Sequence, residues 1–260
     1  MCTVVLLSRP GHPWPLLLAA NRDERLDRAW DSPGAWWPER PGVIAGRDRS
    51  GGGTWMAVRG ALVAAVLNRP GSLGPAPGKR SRGELPLIAL EATSATEAAR
   101  RIADQDAGQW RSFNLVLADR ESSWFIRGTG AGRPEAVPLA PGIVHMITAH
   151  DPNDAASLRV ARHLPRFRAA SAPEPPDWDA WTALLADQAG PPGAAINVPP
   201  VGGFGTVCSS LLGIPAEGTP AWLFAAGAPD RVAFEPIMVR ANGRVDDDGA
   251  ASCPRRAGAT

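Results

Sequence analysis

Short apolar runs, separated by turns rich in glycine and proline, follow one another along most of the chain. Aliphatic and β-branched runs bounded by such turns are typical of β-strands. The pattern predicts strands over residues 3–7, 16–20, 54–58, 61–67, 113–118, 122–127, 143–148, 207–212, 221–226 and 231–239. The first four of these strands are predicted to pair as two hairpins.

Two pairs of segments have the helical period instead, and the first pair fits the capping-box pattern of serine followed three residues later by glutamate. These helices are predicted to begin near Ser81 and Ser94 and to span residues 155–169 and 177–188. Strands and helix pairs alternate along the chain, which predicts an α+β protein. The length of 260 residues suits one domain, which we assign to residues 1–240, with residues 241–260 as a poorly ordered polar tail.

Four polar residues, Asn21-Arg22-Asp23-Glu24, directly follow the second predicted strand. A hairpin would bring them to the end of the sheet where the chain begins. The cluster is either a solvated turn or an arginine–carboxylate group placed to hold an α-ammonium group and to tune a thiol. Residues 22–52, rich in proline, glycine, arginine and tryptophan, are predicted to form one long irregular segment.

Cys2 stands directly after the initiator methionine. Methionine ahead of a small residue is commonly removed, which would leave a thiol and a free α-amine on one residue. The two groups titrate in the same range, so the amine can act as the base for the thiol. The alternative interpretation is that Cys2 is an ordinary buried apolar residue at the start of a strand.

The composition of the chain argues against nucleic-acid binding, membrane insertion and a metal site. The formal charge of +1 gives no field that favours nucleic acid or an anionic membrane, and no apolar run is long enough to span a bilayer. The N-terminus lacks the basic region of a signal peptide. The three cysteines are widely spaced, without a metal-ligand pattern, which predicts a reducing cytoplasmic location and no metal site.

Several short motifs occur in an order that resembles one family. They are Met1-Cys2-Thr3, Asn21-Arg22-Asp23-Glu24, Gly53-Thr54-Trp55, Leu67-Asn68-Arg69, Ser81-Arg82-Gly83 and Gly205-Thr206. Together they resemble the NRDE family, also called the transport and Golgi organisation protein 2 family. This resemblance implies the N-terminal-nucleophile hydrolase fold, a four-layer αββα sandwich of two antiparallel sheets flanked by helices. Cysteine members of that fold include penicillin and bile-salt amidases.

The resemblance also implies catalytic roles. It makes Cys2 the nucleophile, with Asn21, Arg22 and Asp23 beside the terminus, and it makes Asn68 a donor to the oxyanion. The alternative for Asn68 is the start of a Pro-Gly turn.

The sequence departs from the family pattern at two places. Ala149-His150 stands where relatives have Ser-Asn, and Cys208 replaces an arginine that could bind a substrate carboxylate. These departures bear on whether the amidase mechanism transfers to this chain.

Ligand contacts are predicted from polar and tryptophan-bearing positions near strand ends and in the Gly-rich loop. Packing onto the core, or bonding to a neighbouring residue, is the alternative role for several of them, notably Trp37, Asn114 and His150. The candidates are Glu24, Trp37, Trp55, Arg69, Asn114, His150 and Thr206.

Two functions remain open from the sequence. The first is an N-terminal-cysteine hydrolase acting on an amide or thioester of a small amphipathic molecule, with no cofactor required. The second is a non-catalytic protein that binds and transports haem or a lipid or acyl ligand on the same scaffold, since members of the family have been linked to haem trafficking and lipid metabolism. No oligomeric state is predicted.

Overall fold

Two antiparallel β-sheets form the centre of the protein in the computed structural model, which describes residues 2–239. The first sheet has the strand order β10-β1-β2-β11-β12-β13. Its strands, in chain order, are β1 (Thr3–Ser8), β2 (Leu16–Arg25), β10 (Val144–Ile147), β11 (Phe204–Ile214), β12 (Ala221–Ala225) and β13 (Glu235–Ile237). The N-terminal strand therefore lies inside this sheet, between β10 and β2.

The second sheet contains seven strands that pair in sequence order, from β3 to β9. Each strand therefore lies beside its neighbours in the sequence, as in a meander. Its strands are β3 (Trp30–Gly34), β4 (Val43–Asp48), β5 (Met56–Arg59), β6 (Leu62–Asn68), β7 (Phe113–Ala118), β8 (Ser123–Gly128) and β9 (Glu135–Pro138).

Two pairs of helices cover the outer faces of the sheets. They are α1 (Glu84–Ala89), α2 (Ala95–Ala103), α3 (Leu158–Ala169) and α4 (Asp179–Leu185). The first pair packs on the second sheet and the other pair on the first. Alternate residues of the strands enter either a core between the sheets or a core beneath helices. These layers confirm the predicted α+β sandwich of the αββα type.

The structure corrects the prediction for residues 22–52. Strand β2 continues through the polar cluster to Arg25, and β3 and β4 occupy much of the segment predicted to be irregular. The polar cluster sustains a strand because β11 pairs with it along its whole length. Sequence patterning missed this because charged side chains in a strand do not produce an apolar run.

Helix α1 also begins later than predicted. Gly83, rather than Ser81, is its N-terminal cap, and no side chain caps it. Ser94 caps α2 as predicted, by accepting a hydrogen bond from the backbone N–H of Glu97.

The predicted tail, residues 241–260, lies outside the described residues. Among residues 2–239, no helix is long and apolar enough to cross a membrane.

Candidate active site

Cys2 lies at the wall of a mostly apolar pocket between the two sheets. It is half-buried, and its Sγ atom donates a hydrogen bond to the backbone carbonyl of Asp23 at 3.7 Å. Most of the wall is apolar, and Arg22 is the charged residue that lines it. The pocket is lined by Cys2, Thr3, Val4, Ala20, Asn21, Arg22, Trp55, Met56, Ala65, Val66, Leu67, Cys208, Ser209 and Ser210.

Arg22 lies between two thiols on the first sheet. Arg22 is on β2, and Cys208 of β11 is its direct partner in the sheet. On the other side of β2, Thr3 of β1 pairs with Asn21, and Cys2 is the residue before Thr3. The continued antiparallel register therefore places Cys2 opposite Arg22 on the other side. Because two strand spacings separate the thiol-bearing strands by about 9–10 Å, a disulfide between them is excluded without backbone movement.

The Arg22 side chain is 95% buried, and the N–H donors of its Nη1 atom are unused. Its Nη2 atom bonds to Asp48 at 3.2 Å, and its central carbon lies 4.3 Å from the centre of the Trp55 ring. Nη1 is buried and has no hydrogen-bond partner among the described residues. A buried donor without a partner is costly and favours an acceptor from a bound ligand.

A β-bulge between Thr206 and Cys208 directs these two side chains of β11 to opposite faces of the sheet. In a regular strand these two side chains would point to the same face. The register shift instead directs Thr206 to the Asp23 carboxylate and leaves Cys208 in the pocket wall. Burial raises the pKa of the Cys208 thiol, so it stays protonated near neutral pH.

Asp23 lies behind the pocket in a buried polar network. Its carboxylate accepts hydrogen bonds from the Arg159 guanidinium at 2.8 Å and from the Thr206 hydroxyl at 2.7 Å. The same Arg159 nitrogen also donates to the Thr3 hydroxyl at 2.8 Å. Through these bonds α3 fixes both the start of β1 and the residue whose carbonyl contacts Cys2.

Thr206, predicted as a ligand contact, is committed to this network. It also accepts a hydrogen bond from the backbone N–H of Val198 at 2.8 Å. These contacts favour a positioning role.

Asn21 points away from the thiol, toward the helix layer. Its amide nitrogen donates to the carbonyls of Leu185 and Ile196 at 3.0 and 2.9 Å, and its oxygen accepts from Ser209 at 2.6 Å. Its catalytic assignment stays a prediction, and these contacts favour the support of β2.

Asn68, the predicted oxyanion donor, ends β6 and is half-buried. It does not line the pocket, although its neighbour Leu67 does. Its side chain makes no hydrogen bond within residues 2–239, so the amide is available to a ligand. Its predicted role therefore remains open to test.

Asn114 and Arg69 join the sheets beyond the pocket. The Asn114 amide donates to the carbonyls of Thr148 and His150 at 2.9 and 2.8 Å. Arg69 donates to the Asn114 oxygen at 2.6 Å and pairs with Asp151 at 2.7 Å. Both side chains are thus occupied by structural partners.

The other predicted ligand contacts are spread around the site. His150 is half-exposed, 3.6 Å from the Asp154 carboxylate, and does not line the pocket. Trp37 packs into the core under α1 and α2, on the far face of the second sheet. Glu24 lies 3.6 Å from Arg22, and Trp55 lies in the pocket wall itself.

The electrostatic surroundings of Cys2 oppose ionisation. Burial raises the pKa of the thiol, and the Asp23 carboxylate raises it further, while the Arg22 charge acts to lower it. Because the net direction is upward, the thiol needs an adjacent base to react near neutral pH.

Two functional candidates, Arg159 and Arg82, were absent from the sequence-based assignments. Arg159 falls on the buried stripe of α3, with Val160, His163 and Phe167. An arginine in the apolar stripe of an amphipathic helix is a signal that could have identified it. Arg82 lies within a family motif, but the sequence did not show that its loop packs against Gly53 and Thr54, next to Trp55 of the pocket wall.

The position of Trp55 depends on the absence of a side chain at Gly46. A Cβ atom at Gly46 would lie 2.2 Å from the Trp55 ring. We expect Gly46→Ala to lower the free energy of unfolding by about 1–3 kcal/mol in a urea titration. Trp55→Phe removes the clashing atoms, so Gly46→Ala should cost less in that background. An equal cost in both backgrounds would show that the contact with Trp55 is not its cause.

Comparisons with known proteins agree with this architecture. A solved structure, the Caenorhabditis elegans N-acylethanolamine-hydrolyzing acid amidase ortholog, is similar with a TM-score of 0.55 and 12% identity. The match covers 81% of this chain and 92% of that chain, and it supports the shared N-terminal-nucleophile hydrolase-like fold. A search with the sequence among curated proteins gives no match. The model of the Transport and Golgi organisation 2 family matches residues 1–221, and the chain belongs to that family.

Proposed function

We propose that this protein is an N-terminal-cysteine hydrolase, with Cys2 as the nucleophile, acting on an amide or thioester of a small amphipathic molecule. The observation that carries the proposal is that a thiol and a buried hydrogen-bond donor without a partner line the same pocket. Cys2 and Arg22 both line the pocket, and Arg22 Nη1 has no partner among the described residues. Acyl transfer needs both a nucleophile and a donor for the developing oxyanion.

In the first half-reaction, the Cys2 Sγ atom attacks the substrate carbonyl carbon, and the thiol proton passes to the α-amine of the same residue. The carbonyl electron pair moves onto oxygen, which accepts a hydrogen bond from Arg22 Nη1. Collapse of the intermediate breaks the C–N or C–S bond, and the leaving amine or thiol takes the proton. The base exists only in a chain that begins at Cys2, because an acylated nitrogen is not basic.

In the second half-reaction, water attacks the acyl thioester on Cys2. The carboxylic acid leaves, and the thiol and the amine are restored. Asp23, held by Arg159 and Thr206, fixes the backbone carbonyl that contacts Sγ. Asn68 is proposed as a second donor to the oxyanion.

The walls of the pocket support an amphipathic substrate. Side chains such as Val4, Met56 and Leu67 offer an apolar surface, with Arg22 at one side. The printed name of the similar structure also describes an amidase of acyl compounds.

A non-catalytic carrier of haem or of a lipid or acyl ligand is the second candidate. The apolar lining favours it, since such a surface binds an acyl chain whether or not chemistry follows. For haem, Cys2, Met56 and Cys208 are the lining residues of types that ligate iron axially, and no histidine lines the pocket.

Two preparations of the same protein distinguish these functions. One begins at Cys2, and the other keeps Met1 because the host's methionine aminopeptidase is inhibited. We expect the first to hydrolyse a medium-chain acyl thioester and the second to be slower by at least about 10²-fold, since general base catalysis contributes about that much. Equal turnover would reject the α-amine as base. Saturable acyl binding without turnover in either preparation would favour the carrier.

A further inference from the structure

Arg82 is a half-buried cation whose protein partners are all neutral. Its Nη1 atom donates to the Ser72 carbonyl at 2.5 Å, the Ser72 hydroxyl at 2.8 Å and the Ser112 carbonyl at 3.2 Å. Among residues 2–239 its side chain makes no other hydrogen bond and no ion pair. A guanidinium has five donors, so most of its capacity is unused.

Close backbone packing fixes Arg82 beside the pocket. The Thr54 N–H donates to the Gly83 carbonyl at 2.9 Å, and a Cβ atom on Gly53 would lie 2.3 Å from the Gly83 carbonyl carbon. Gly83, the residue after Arg82, therefore contacts the Gly53-Thr54 segment, which is followed directly by Trp55 of the pocket wall.

The acidic side chains beside Arg22 in the pocket wall, Asp48 and Glu24, are already paired with arginines other than Arg82. Asp48 lies 3.2 Å from Arg22 and 2.7 Å from Arg28, and Glu24 lies 3.6 Å from each. Arg82 is a third guanidinium close to these groups in the fold, and it lacks a carboxylate partner among the described residues. The local charge balance is therefore positive.

The electrostatics of Arg82 agree with this location. Burial and the Arg111 charge lower the pKa of Arg82 to about 10, whereas Cys2 and Glu24 act to raise it. The side chain is still charged at neutral pH and lies within electrostatic reach of the thiol.

We propose that Arg82 binds an anionic group, a carboxylate or a phosphate, on the molecule that occupies the Cys2 pocket. The inference rests on the proposed function for the identity of that molecule as a substrate. It gives the substrate a negative group outside the apolar pocket, on the Arg82 side of Cys2. A planar guanidinium with free donors is well suited to either anion. A purely structural role for Arg82 explains the bonds of Nη1 but not the uncompensated charge.

The charge of Arg82 can be tested by alkylation of Cys2, followed in the Cys2 peptide by mass spectrometry. Iodoacetate is anionic and iodoacetamide is neutral, so the ratio of their rates cancels changes in thiolate fraction. We expect the rate with iodoacetate, divided by the rate with iodoacetamide, to fall about three- to five-fold in Arg82→Gln and to keep its wild-type value in Arg82→Lys. Arg133→Gln removes an exposed charge beside Asp104 and should leave the ratio unchanged. An unchanged ratio in Arg82→Gln would overturn the proposal.

Protection of Cys2 from iodoacetamide provides a second measurement that needs no variant. Saturable protection of the wild-type protein by octanoate would identify a carboxylate ligand, and protection by inorganic phosphate would identify a phosphate ligand. Protection by neither anion would overturn the proposal. Because alkylation requires no turnover, protection in a protein that hydrolyses nothing would retain the anion site and reject the hydrolase.

Discussion

Turnover of an acyl amide or thioester should fall by more than about 10³-fold when Cys2 is replaced by alanine or serine. Alanine removes the nucleophile, and serine replaces the thiol with a hydroxyl that the α-amine deprotonates far less readily. The residue is half-buried and its thiol makes one weak hydrogen bond, so the fold should persist. Steady-state kinetics together with thermal unfolding would measure both effects.

Cys253→Ala is the matched control for this pair of variants, because it removes a thiol outside the described residues. It should keep wild-type turnover. Retained turnover in a folded Cys2→Ala protein would reject Cys2 as the nucleophile and redirect attention to binding.

The second large effect is expected on stability. Arg159→Met should lower the free energy of unfolding by about 3–5 kcal/mol, because it removes the guanidinium that faces the buried Asp23 carboxylate. The two side chains are 5% and 0% exposed, so water cannot substitute for the lost partner. Denaturant titration would measure the loss, and Asp23→Asn in the same background should recover part of it.

Arg162→Met is the control for Arg159→Met. Arg162 lies on the exposed side of the same helix, so its replacement should change stability by less than about 0.5 kcal/mol. If Arg159→Met costs no more than this control, the buried network does not support the fold as described.

The sequence pattern predicted an α+β protein because apolar runs bounded by turns indicated strands and helical periodicity indicated two pairs of helices. The N-terminal hairpin was predicted from the apolar runs over residues 3–7 and 16–20. Resemblance to a family supplied the stacking of the sheets. Periodicity within a single segment does not contain that relation between distant elements.

The polar details of the site were less accessible from sequence. The bulge between Thr206 and Cys208 shifts the alternation by one residue, and this shift decides which side chain meets Asp23. Pairing of Asp23 with Arg159 joins positions 136 residues apart. Asn21 and Thr206 were predicted beside the chemistry, whereas their hydrogen bonds hold the strands that carry it.

The most direct test of the central claim is the mass of the Cys2 peptide after brief exposure to an acyl thioester. We expect a chain that begins at Cys2 and carries the acyl group on Sγ, at an occupancy that rises and decays with turnover. A protein that hydrolyses the thioester while the Cys2 peptide stays unmodified would contradict it.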